Sequence, residues 1–494
     1  MKNRSFTIIF CFFSLIAHAE KRFEWTPLMR QAYHKTISLR FAEANSLLAK
    51  IKLEDPDNLL VYHVENYMDF FRVYIDEDEE EFDRLEKNRD RRLEKIKEGD
   101  KNSPYYLYLQ ADIRLQWALG RLKFEEYTTA FFEVNKAFKL LNRNVKKFPD
   151  FMPNKKDLGI LHAMVGTIPD GFQWAIRWFS SMSGTIGQGT KELKEVIEYA
   201  RQRHFVYEEE IYVFYAYLML HLGNDKKEAW SIINTSNLKP ESNPIDCFIV
   251  ANVAMRTDRG EAAIHLLENR PAGSAFFPFP YLDYMLGLSK LERLDKDADV
   301  FLHRFLDSFS GRNFIKDAYQ KLAWHALLQG DEKDYFHYMN YCKSKGYTIV
   351  GSDKSALREA KSGQMPNVLL LKARLLFDGG YFNKAHGLLV HKTTSDFASK
   401  KDQLEFTYRI GRITQQMKNY PQALYYYQKT IDEGKRESWY YACRAALEQG
   451  HIYECLQEKQ QAKSAFKRCL SIKPLEYKTG LHQQAKAGLN RVEN

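Results

Sequence analysis

The chain has 494 residues, of which 45% are hydrophobic and 28% are charged. This composition supports a sizeable core, and beyond the N-terminus no apolar run is long enough to cross a bilayer, which excludes transmembrane spans in the body of the chain. The formal net charge of +9 is spread along most of the predicted helices, which indicates solubility and argues against a nucleic-acid-binding surface.

The N-terminus has the features of a secretory signal peptide. A basic start precedes an apolar run over residues 6–16, and Ala17 and Ala19 frame a cleavage site before Glu20. The run is shorter than the roughly 20 residues that a membrane span needs, which disfavours an anchor. Cys11 lies inside the run and not at a cleavage boundary, which excludes a lipoprotein. Because the signal is compact and resembles bacterial ones, we expect a periplasmic or secreted mature protein.

A spacing of small residues recurs along the rest of the chain. A small residue in one predicted helix is followed, across a polar turn, by an alanine twelve positions later and then by a large apolar residue. Two antiparallel helices approach closely only where a side chain at their crossing is small, and a bulky residue one turn later fills the space beside it. Variant units lie around Tyr217, Gly287 and Ala323. The full matches are Ala32/Ala44/Leu48, Ala118/Ala130/Val134, Ala251/Ala263/Leu267, Ala373/Ala385/Leu389, Gly411/Ala423/Tyr427 and Gly450/Ala462/Phe466.

The same pattern predicts the organisation of the whole chain. Its parts are a signal peptide (1–19), N-terminal helical hairpins that include a Gly/aromatic block (20–200), further hairpins (201–343), a Gly/Ser-rich linker with one short helical piece (344–366), the best-matched repeats (367–475) and a capping helix (476–494).

The units resemble tetratricopeptide repeats, which are helical hairpins that stack into a superhelix. The residues that carry the likeness are Gly411, Tyr420, Ala423 and Tyr427 in one unit, and Gly450, Tyr453, Ala462, Phe466 and Pro474 in the next. The resemblance implies an all-α fold, a right-handed superhelical solenoid of stacked hairpins. It also implies a long concave surface, made by the first helix of every hairpin, that binds protein partners.

A second, weaker resemblance covers residues 157–200. This block resembles one in the fungal inclusion-body-clearance proteins and their animal relatives, through Gly159, Pro169, Gly184 and Gly189. The block also holds a short, almost entirely apolar segment with Trp174 and Trp178. Such a helix must be buried on several sides, so we expect it in the core. An exposed contact with lipid or a membrane is the alternative.

No catalytic constellation is present in the sequence. There is no HExxH and no GxSxG, and the glycine-rich segment 184–189 lacks the Lys-Ser/Thr of a phosphate loop. We therefore expect a protein that is not an enzyme and that has neither a cofactor nor a metal site. Five cysteines follow the signal peptide without metal-type spacing. We expect buried free thiols, and a disulfide among Cys443, Cys455 and Cys469 is the alternative in an oxidising compartment.

The expected binding residues are those offset from the packing face in the best-matched units. They are Asn367, Arg374, Glu405, Tyr408, Arg412, Arg444 and His451. Arginine and tyrosine make good binding anchors, although a solvated helix face is an equal alternative. We expect a non-catalytic scaffold that binds a protein or peptide partner in the cell envelope, an acidic one if Arg374, Arg412 and Arg444 line one surface. The alternative function is an outer-membrane-associated glycan- or lipid-binding subunit with peripheral membrane contact.

Overall fold

A computed structural model describes residues 21–165 and 182–493. The regular structure in these ranges is helical, with one isolated β-bridge between Arg22 and Asn58. The predicted all-α solenoid of stacked helical hairpins is confirmed. The predicted signal peptide and residues 166–181, with Pro169, Trp174 and Trp178, lie outside the described residues.

Within the described ranges, 24 α-helices follow one another along the chain. The N-terminal part contains α1 (Pro27–Ile37), α2 (Phe41–Glu54), α3 (Leu60–Asp76), α4 (Glu79–Lys97), α5 (Tyr105–Lys123), α6 (Tyr127–Lys147), α7 (Met152–Val165) and α8 (Ile186–Gln202). The middle part contains α9 (Glu208–Leu218), which continues as a π-helical turn (Met219–Gly223), α10 (Lys226–Asn234), α11 (Pro244–Arg256), α12 (Gly260–Glu268), α13 (Tyr281–Arg293), α14 (Ala298–Ser308), α15 (Ile315–Leu328), α16 (Glu332–Ser344) and α17 (Gly351–Ser362). The C-terminal part contains α18 (Val368–Asp378), α19 (Phe382–Leu389), α20 (Lys400–Gln416), α21 (Tyr420–Gly434), α22 (Tyr441–Cys455), α23 (Lys459–Ser471) and α24 (Lys478–Glu493).

Short polar side chains set where several helices begin. Asp78 accepts a hydrogen bond from the backbone N–H of Glu81 at 2.7 Å at the start of α4, and Ser399 accepts one from Asp402 at 3.0 Å at the start of α20. Each bond satisfies a donor that the first helical turn leaves without an intrahelical partner. The start of these helices is therefore encoded within four residues of sequence.

The small-residue spacing marks real helix crossings. In all six full units the small residue lies in the first helix of a hairpin and the alanine in the second, and both are buried. At Gly411 an added Cβ would lie 2.9 Å from ring atoms of Tyr427, closer than van der Waals contact allows. The predicted role of this glycine in close packing is thus confirmed.

The turn inside each hairpin repeats as well. In every full unit, the residue five positions before the alanine has a positive φ, between 59° and 86°; these residues are Leu39, Glu125, Asp258, Gly380, Lys418 and Gln457. At Lys418 the next N–H, that of Asn419, bonds to the carbonyl of Thr414 at 2.9 Å. This is the hydrogen-bond pattern of a Schellman C-cap, which ends the first helix and aims the chain into the second. Only Gly380 is a glycine, so the sequence carries no glycine signal for the other turns.

The array folds back on itself between hairpins far apart in sequence. The buried carboxylate of Glu77, at the end of α3, accepts hydrogen bonds from the backbone N–H groups of Arg312 at 3.1 Å and Asn313 at 2.8 Å. The N–H of Phe277 donates to the carbonyl of Leu39 at 2.7 Å. The first hairpins are therefore covered by loops from the middle of the chain, which an open spiral would leave exposed.

The segment 344–366, predicted to be a linker, carries a packed helix. Helix α17 is longer than the short helical piece that the sequence indicates. Its buried Asp353 accepts hydrogen bonds from the backbone N–H groups of Phe314 at 2.8 Å and Asp317 at 2.9 Å, at the start of α15. These two hydrogen bonds tie the segment to the neighbouring hairpin.

Three glycines of the 157–200 block bring α7 and α8 together. A Cβ at Gly189 would overlap the carbonyl oxygen of Gly159, and a Cβ at Gly184 would lie 2.5 Å from the backbone of His162. Nearby, His162 Nδ1 lies 2.7 Å from a carboxylate oxygen of Glu192. These glycines therefore have a packing role.

A cluster of charged side chains lies inside the N-terminal half. The ammonium group of Lys156, which is fully buried, is 2.7 Å from a carboxylate oxygen of Asp157, 2.7 Å from Glu210 and 3.7 Å from Asp112. Glu210 also accepts a hydrogen bond from the Tyr33 hydroxyl at 2.7 Å. Because an isolated charge in the interior is very unfavourable, these groups stabilise the fold only as a set.

Candidate binding surface

One position recurs on the first helix of successive hairpins. The residue directly after the small packing residue is Trp324 on α15, Arg374 on α18, Arg412 on α20 and His451 on α22. Contacts join these helices in order. The Arg374 guanidinium lies 4.7 Å from the ring centre of Trp324, and that of Arg412 lies 4.6 Å from the ring centre of Phe377. We define the inner stripe as Trp324, Arg374, Tyr408, Arg412, Arg444, Glu448 and His451.

Glu448 is the centre of the C-terminal half of the stripe. It is 5% exposed and accepts a hydrogen bond from Arg444 Nε at 2.7 Å. Arg412 Nε lies 3.8 Å and His451 Nδ1 lies 3.5 Å from its carboxylate. Burial alone would raise the pKa of Glu448, but Arg444 and Arg412 outweigh burial and hold it well below its ordinary value. Arg412 and Arg444 therefore share one carboxylate within the protein, which offsets one of their two positive charges.

The remaining predicted residues serve the fold to different degrees. Tyr408 is 3% exposed and accepts a hydrogen bond from Arg412 Nη1 at 2.8 Å. The carboxylate of Glu405 on α20 accepts a hydrogen bond from the Tyr441 hydroxyl on α22 at 2.7 Å, which links two neighbouring hairpins. Asn367 caps α18 by accepting from the N–H of Leu369 at 3.0 Å, away from the stripe contacts. These side chains hold the surface together rather than extend from it.

The N-terminal end of the stripe opens into a cleft. Its volume is about 390 Å³, and it lies between α13, α15 and α18. The lining residues are Tyr284, Leu288, Glu292, Asp317, Gln320, Lys321, Trp324, Gly351, Ser352, Arg374, Leu375, Asp378 and Tyr477. The cleft therefore combines aromatic rings with both signs of charge.

Two cations flank the indole ring of Trp324 in this cleft. Lys321 Nζ lies 4.1 Å from a ring centre of Trp324, and the guanidinium of Arg374 lies 4.7 Å away. Lys321 is also 3.0 Å from an oxygen of Asp317. Arg374 is less tied down than Arg412 and Arg444, because in the part of the chain that the structure describes its guanidinium makes no hydrogen bond, although Asp378 lies 3.6 Å away, and its side chain is 28% exposed. Arg374 is thus the arginine of the stripe that remains available to a ligand.

Glu292 lines the same cleft, and the pKa of its carboxyl group is raised. Within the described ranges it forms no hydrogen bond or ion pair. Burial raises its pKa well above the ordinary value, and the nearby Asp378 raises it further, while Lys321 and Arg374 act in the opposite direction. Glu292 therefore tends to keep its proton, and as a neutral acid it can donate a hydrogen bond.

Sequence reasoning missed Trp324, Lys321, Glu292 and Glu448. A signal for the first was present, since Trp324 follows Ala323 as Arg374 follows Ala373 and Arg412 follows Gly411. That unit is a variant, because its second helix carries Tyr335 where the full units carry alanine. The glutamates gave no such signal, because charged groups on other helices act on them: Arg412 on Glu448, and Lys321, Arg374 and Asp378 on Glu292.

No protein-family model matches the chain, and no curated protein matches it. Among solved structures, the chain is similar to one described as the crystal structure of the APC/C hetero-tetramer Cut9–Hcn1, with 12% sequence identity and a TM-score of 0.26. That match covers 92% of this chain and 89% of the other. At this level of similarity it carries no argument about function. Neither described range contains a helix that is both long enough and apolar enough to cross a membrane.

Proposed function

We propose that this protein is an exported, non-catalytic scaffold that binds a protein partner in the cell envelope through the inner stripe and its cleft. The observation that carries this proposal is Arg374, stacked on Trp324 at the edge of a cleft of about 390 Å³ and 3.6 Å from its nearest carboxylate oxygen. Aromatic and arginine side chains that meet in a cleft are typical anchors of protein interfaces.

The expected ligand group at Arg374 is a carboxylate. A guanidinium stacked on an aromatic ring keeps its N–H edge free, and that edge matches a carboxylate with two parallel hydrogen bonds. Arg412 and Arg444 contribute less, since Arg412 already donates a hydrogen bond to Tyr408 and Arg444 donates one to Glu448. An acidic partner segment would therefore bind at the α15–α18 end of the stripe, and salt would weaken its binding.

The experiment compares Arg374→Gln with Arg436→Gln, an exposed arginine between α21 and α22. Each purified protein is used to capture partners from envelope extracts and is titrated with fluorescent hexaglutamate and hexalysine peptides. We expect Arg374→Gln alone to lose the captured protein and to lower hexaglutamate affinity several-fold. Equal capture and affinity in all three proteins would overturn the proposal. Liposome flotation that is independent of Arg374 would instead favour the lipid-binding alternative.

The packing of the first described residues is compatible with the export part of the proposal. The carbonyl of Lys21 accepts a hydrogen bond from the N–H of Asp100 at 3.0 Å, and that of Arg22 accepts one from Leu59 at 2.9 Å. Phe23 is buried beside Gly99. Cleavage after Ala19 would leave all of these contacts intact, so removal of a signal peptide there is compatible with the folded body.

A further inference from the structure

Two cysteines of the last hairpin lie in contact. Cys443 on α22 and Cys469 on α23 have their sulfur atoms 3.6 Å apart, and both side chains are fully buried. Cys443 Sγ is also 3.4 Å from the backbone carbonyl oxygen of Cys469. A disulfide has a sulfur–sulfur distance of about 2.05 Å, so the two atoms need to approach by about 1.5 Å. Side-chain rotation can supply a movement of this size.

The other described cysteines are not placed for such a bond. Cys247 and Cys342 are buried in other hairpins, and Cys455 is exposed near the Tyr420 hydroxyl, at 3.7 Å. Within the described ranges, the pair Cys443–Cys469 is the one whose sulfur atoms meet. The sequence alone leaves three pairings open among Cys443, Cys455 and Cys469, and the geometry selects one of them.

We propose that Cys443 and Cys469 form a disulfide that closes the last hairpin when the chain folds in the presence of a small-molecule or protein disulfide. One cysteine thiolate attacks a sulfur of the donor, forms a mixed disulfide and releases the first donor thiolate. The second cysteine thiolate then attacks the protein sulfur of that mixed disulfide and releases the second donor thiolate. The two cysteines lose two protons and two electrons in total, and the donor disulfide is reduced to two thiols.

The timing of the bond follows from burial. A mixed disulfide needs space that the closed hairpin does not offer, because both sulfur atoms are inaccessible. The hydrogen bond between Cys469 and Cys443, together with burial, raises the pKa of the Cys469 thiol, which keeps the thiolate scarce once the helices have packed. The bond therefore forms while α22 and α23 are still assembling, and it is then shielded from reduction.

The bond would stabilise the part of the inner stripe that α22 carries. A cross-link between residues 26 positions apart removes conformational freedom from the unfolded chain, which raises the free energy of unfolding. The helix so held carries Arg444, Glu448 and His451. An oxidising compartment would thereby give a more rigid C-terminal end of the array than a reducing one.

The test refolds the full chain from denaturant, once with a reduced and oxidised glutathione mixture and once with dithiothreitol, followed by thiol alkylation under denaturing conditions and non-reducing peptide mapping. We expect a linked Cys443–Cys469 peptide pair, a mass lower by two hydrogens and a higher midpoint of thermal unfolding only after oxidative refolding. Cys455→Ser should behave like the wild type, whereas Cys443→Ser should lose the rise in midpoint. Free, alkylated Cys443 and Cys469 after oxidative refolding, or a bond to Cys455, would overturn the proposal.

A second measurement tests the timing with the wild-type chain alone. Oxidised glutathione is added to protein that has already folded in the reduced state. We expect the linked peptide pair to appear many times more slowly than during refolding. Formation at the same rate would overturn the inference that the bond belongs to folding.

Discussion

The ring of Phe466 on α23 lies directly against Gly450 on α22, so close that a Cβ at Gly450 would overlap the ring. The same ring also lies against Gly488 on α24, where an added Cβ would lie 2.5 Å from Cζ. The ring thus fills a slot between two glycines and has no room to move aside.

We predict that Gly450→Ala destabilises the protein. Overpacking of a rigid site lowers the free energy of unfolding by about 1–3 kcal/mol, and the better helix propensity of alanine offsets about 1 kcal/mol of that loss. The matched control is Gly387→Ala in α19, where a Cβ would meet nothing within 4 Å. Urea denaturation should show a lower midpoint for Gly450→Ala and an unchanged or higher one for Gly387→Ala. Equal midpoints would mean that α22 and α23 can move apart without a loss of stability, which would contradict the prediction.

We predict that Lys156→Met lowers the free energy of unfolding by about 3–5 kcal/mol, the usual effect of removing one partner from a buried ion pair. Asp112, Asp157 and Glu210 would be left without their shared cation. The neighbouring lysine provides the control, because Lys155 pairs with Glu195 on the surface, and such pairs contribute about 0–1 kcal/mol. Chemical denaturation that gave both variants the same loss would show that the buried cluster needs no cation.

We predict that Glu448→Gln loses stability at neutral pH and approaches the wild type in acid. Because the pKa of Glu448 is held below its ordinary value of 4.5, its contribution is present above that pH and is lost as pH falls through the folded-state pKa. A loss of about 2 kcal/mol at neutral pH matches a hydrogen bond to a charged group. Thermal unfolding across pH measures it, and a difference that stays constant with pH would contradict the assignment.

The opposite pH dependence is predicted for Glu292. Its pKa is raised above the ordinary value of 4.5, so the folded state binds the proton more tightly than the unfolded state does. Its favourable contribution is present below that pH and is lost as pH rises through the folded-state pKa. Glu292→Gln should therefore be more stable than the wild type at mildly alkaline pH. A variant less stable than the wild type there would show that the ionised carboxylate is the preferred form.

We predict that mature protein isolated from its native host begins at Glu20, because Ala17 and Ala19 frame the cleavage site. Intact-mass measurement of the protein from fractionated cells checks this, together with its recovery in the envelope or secreted fraction. Ala19→Arg is the matched variant and should block processing. A cytoplasmic protein that retains Met1 would contradict export.

The sequence by itself determined the helices and the pairing of consecutive helices into hairpins. A helix start such as Ser399 and a crossing such as Gly411 with Tyr427 depend on residues within about one hairpin, so their spacing is visible along the chain. The same register located Arg374 and Arg412 on one side of their helices. It also places Trp324, which follows Ala323 in a variant unit, at the same position.

Only the tertiary structure decided which of these side chains are available. Arg412 donates a hydrogen bond to the buried Tyr408, and Arg444 donates one to Glu448. Among the described residues the guanidinium of Arg374 makes no hydrogen bond. The tertiary structure likewise decided that Glu77 contacts Asn313 and that Cys443 contacts Cys469. Each contact depends on the rotation and tilt of helices as they stack. These rotations and tilts add up over many helix crossings, and the spacing of residues along the sequence does not show them.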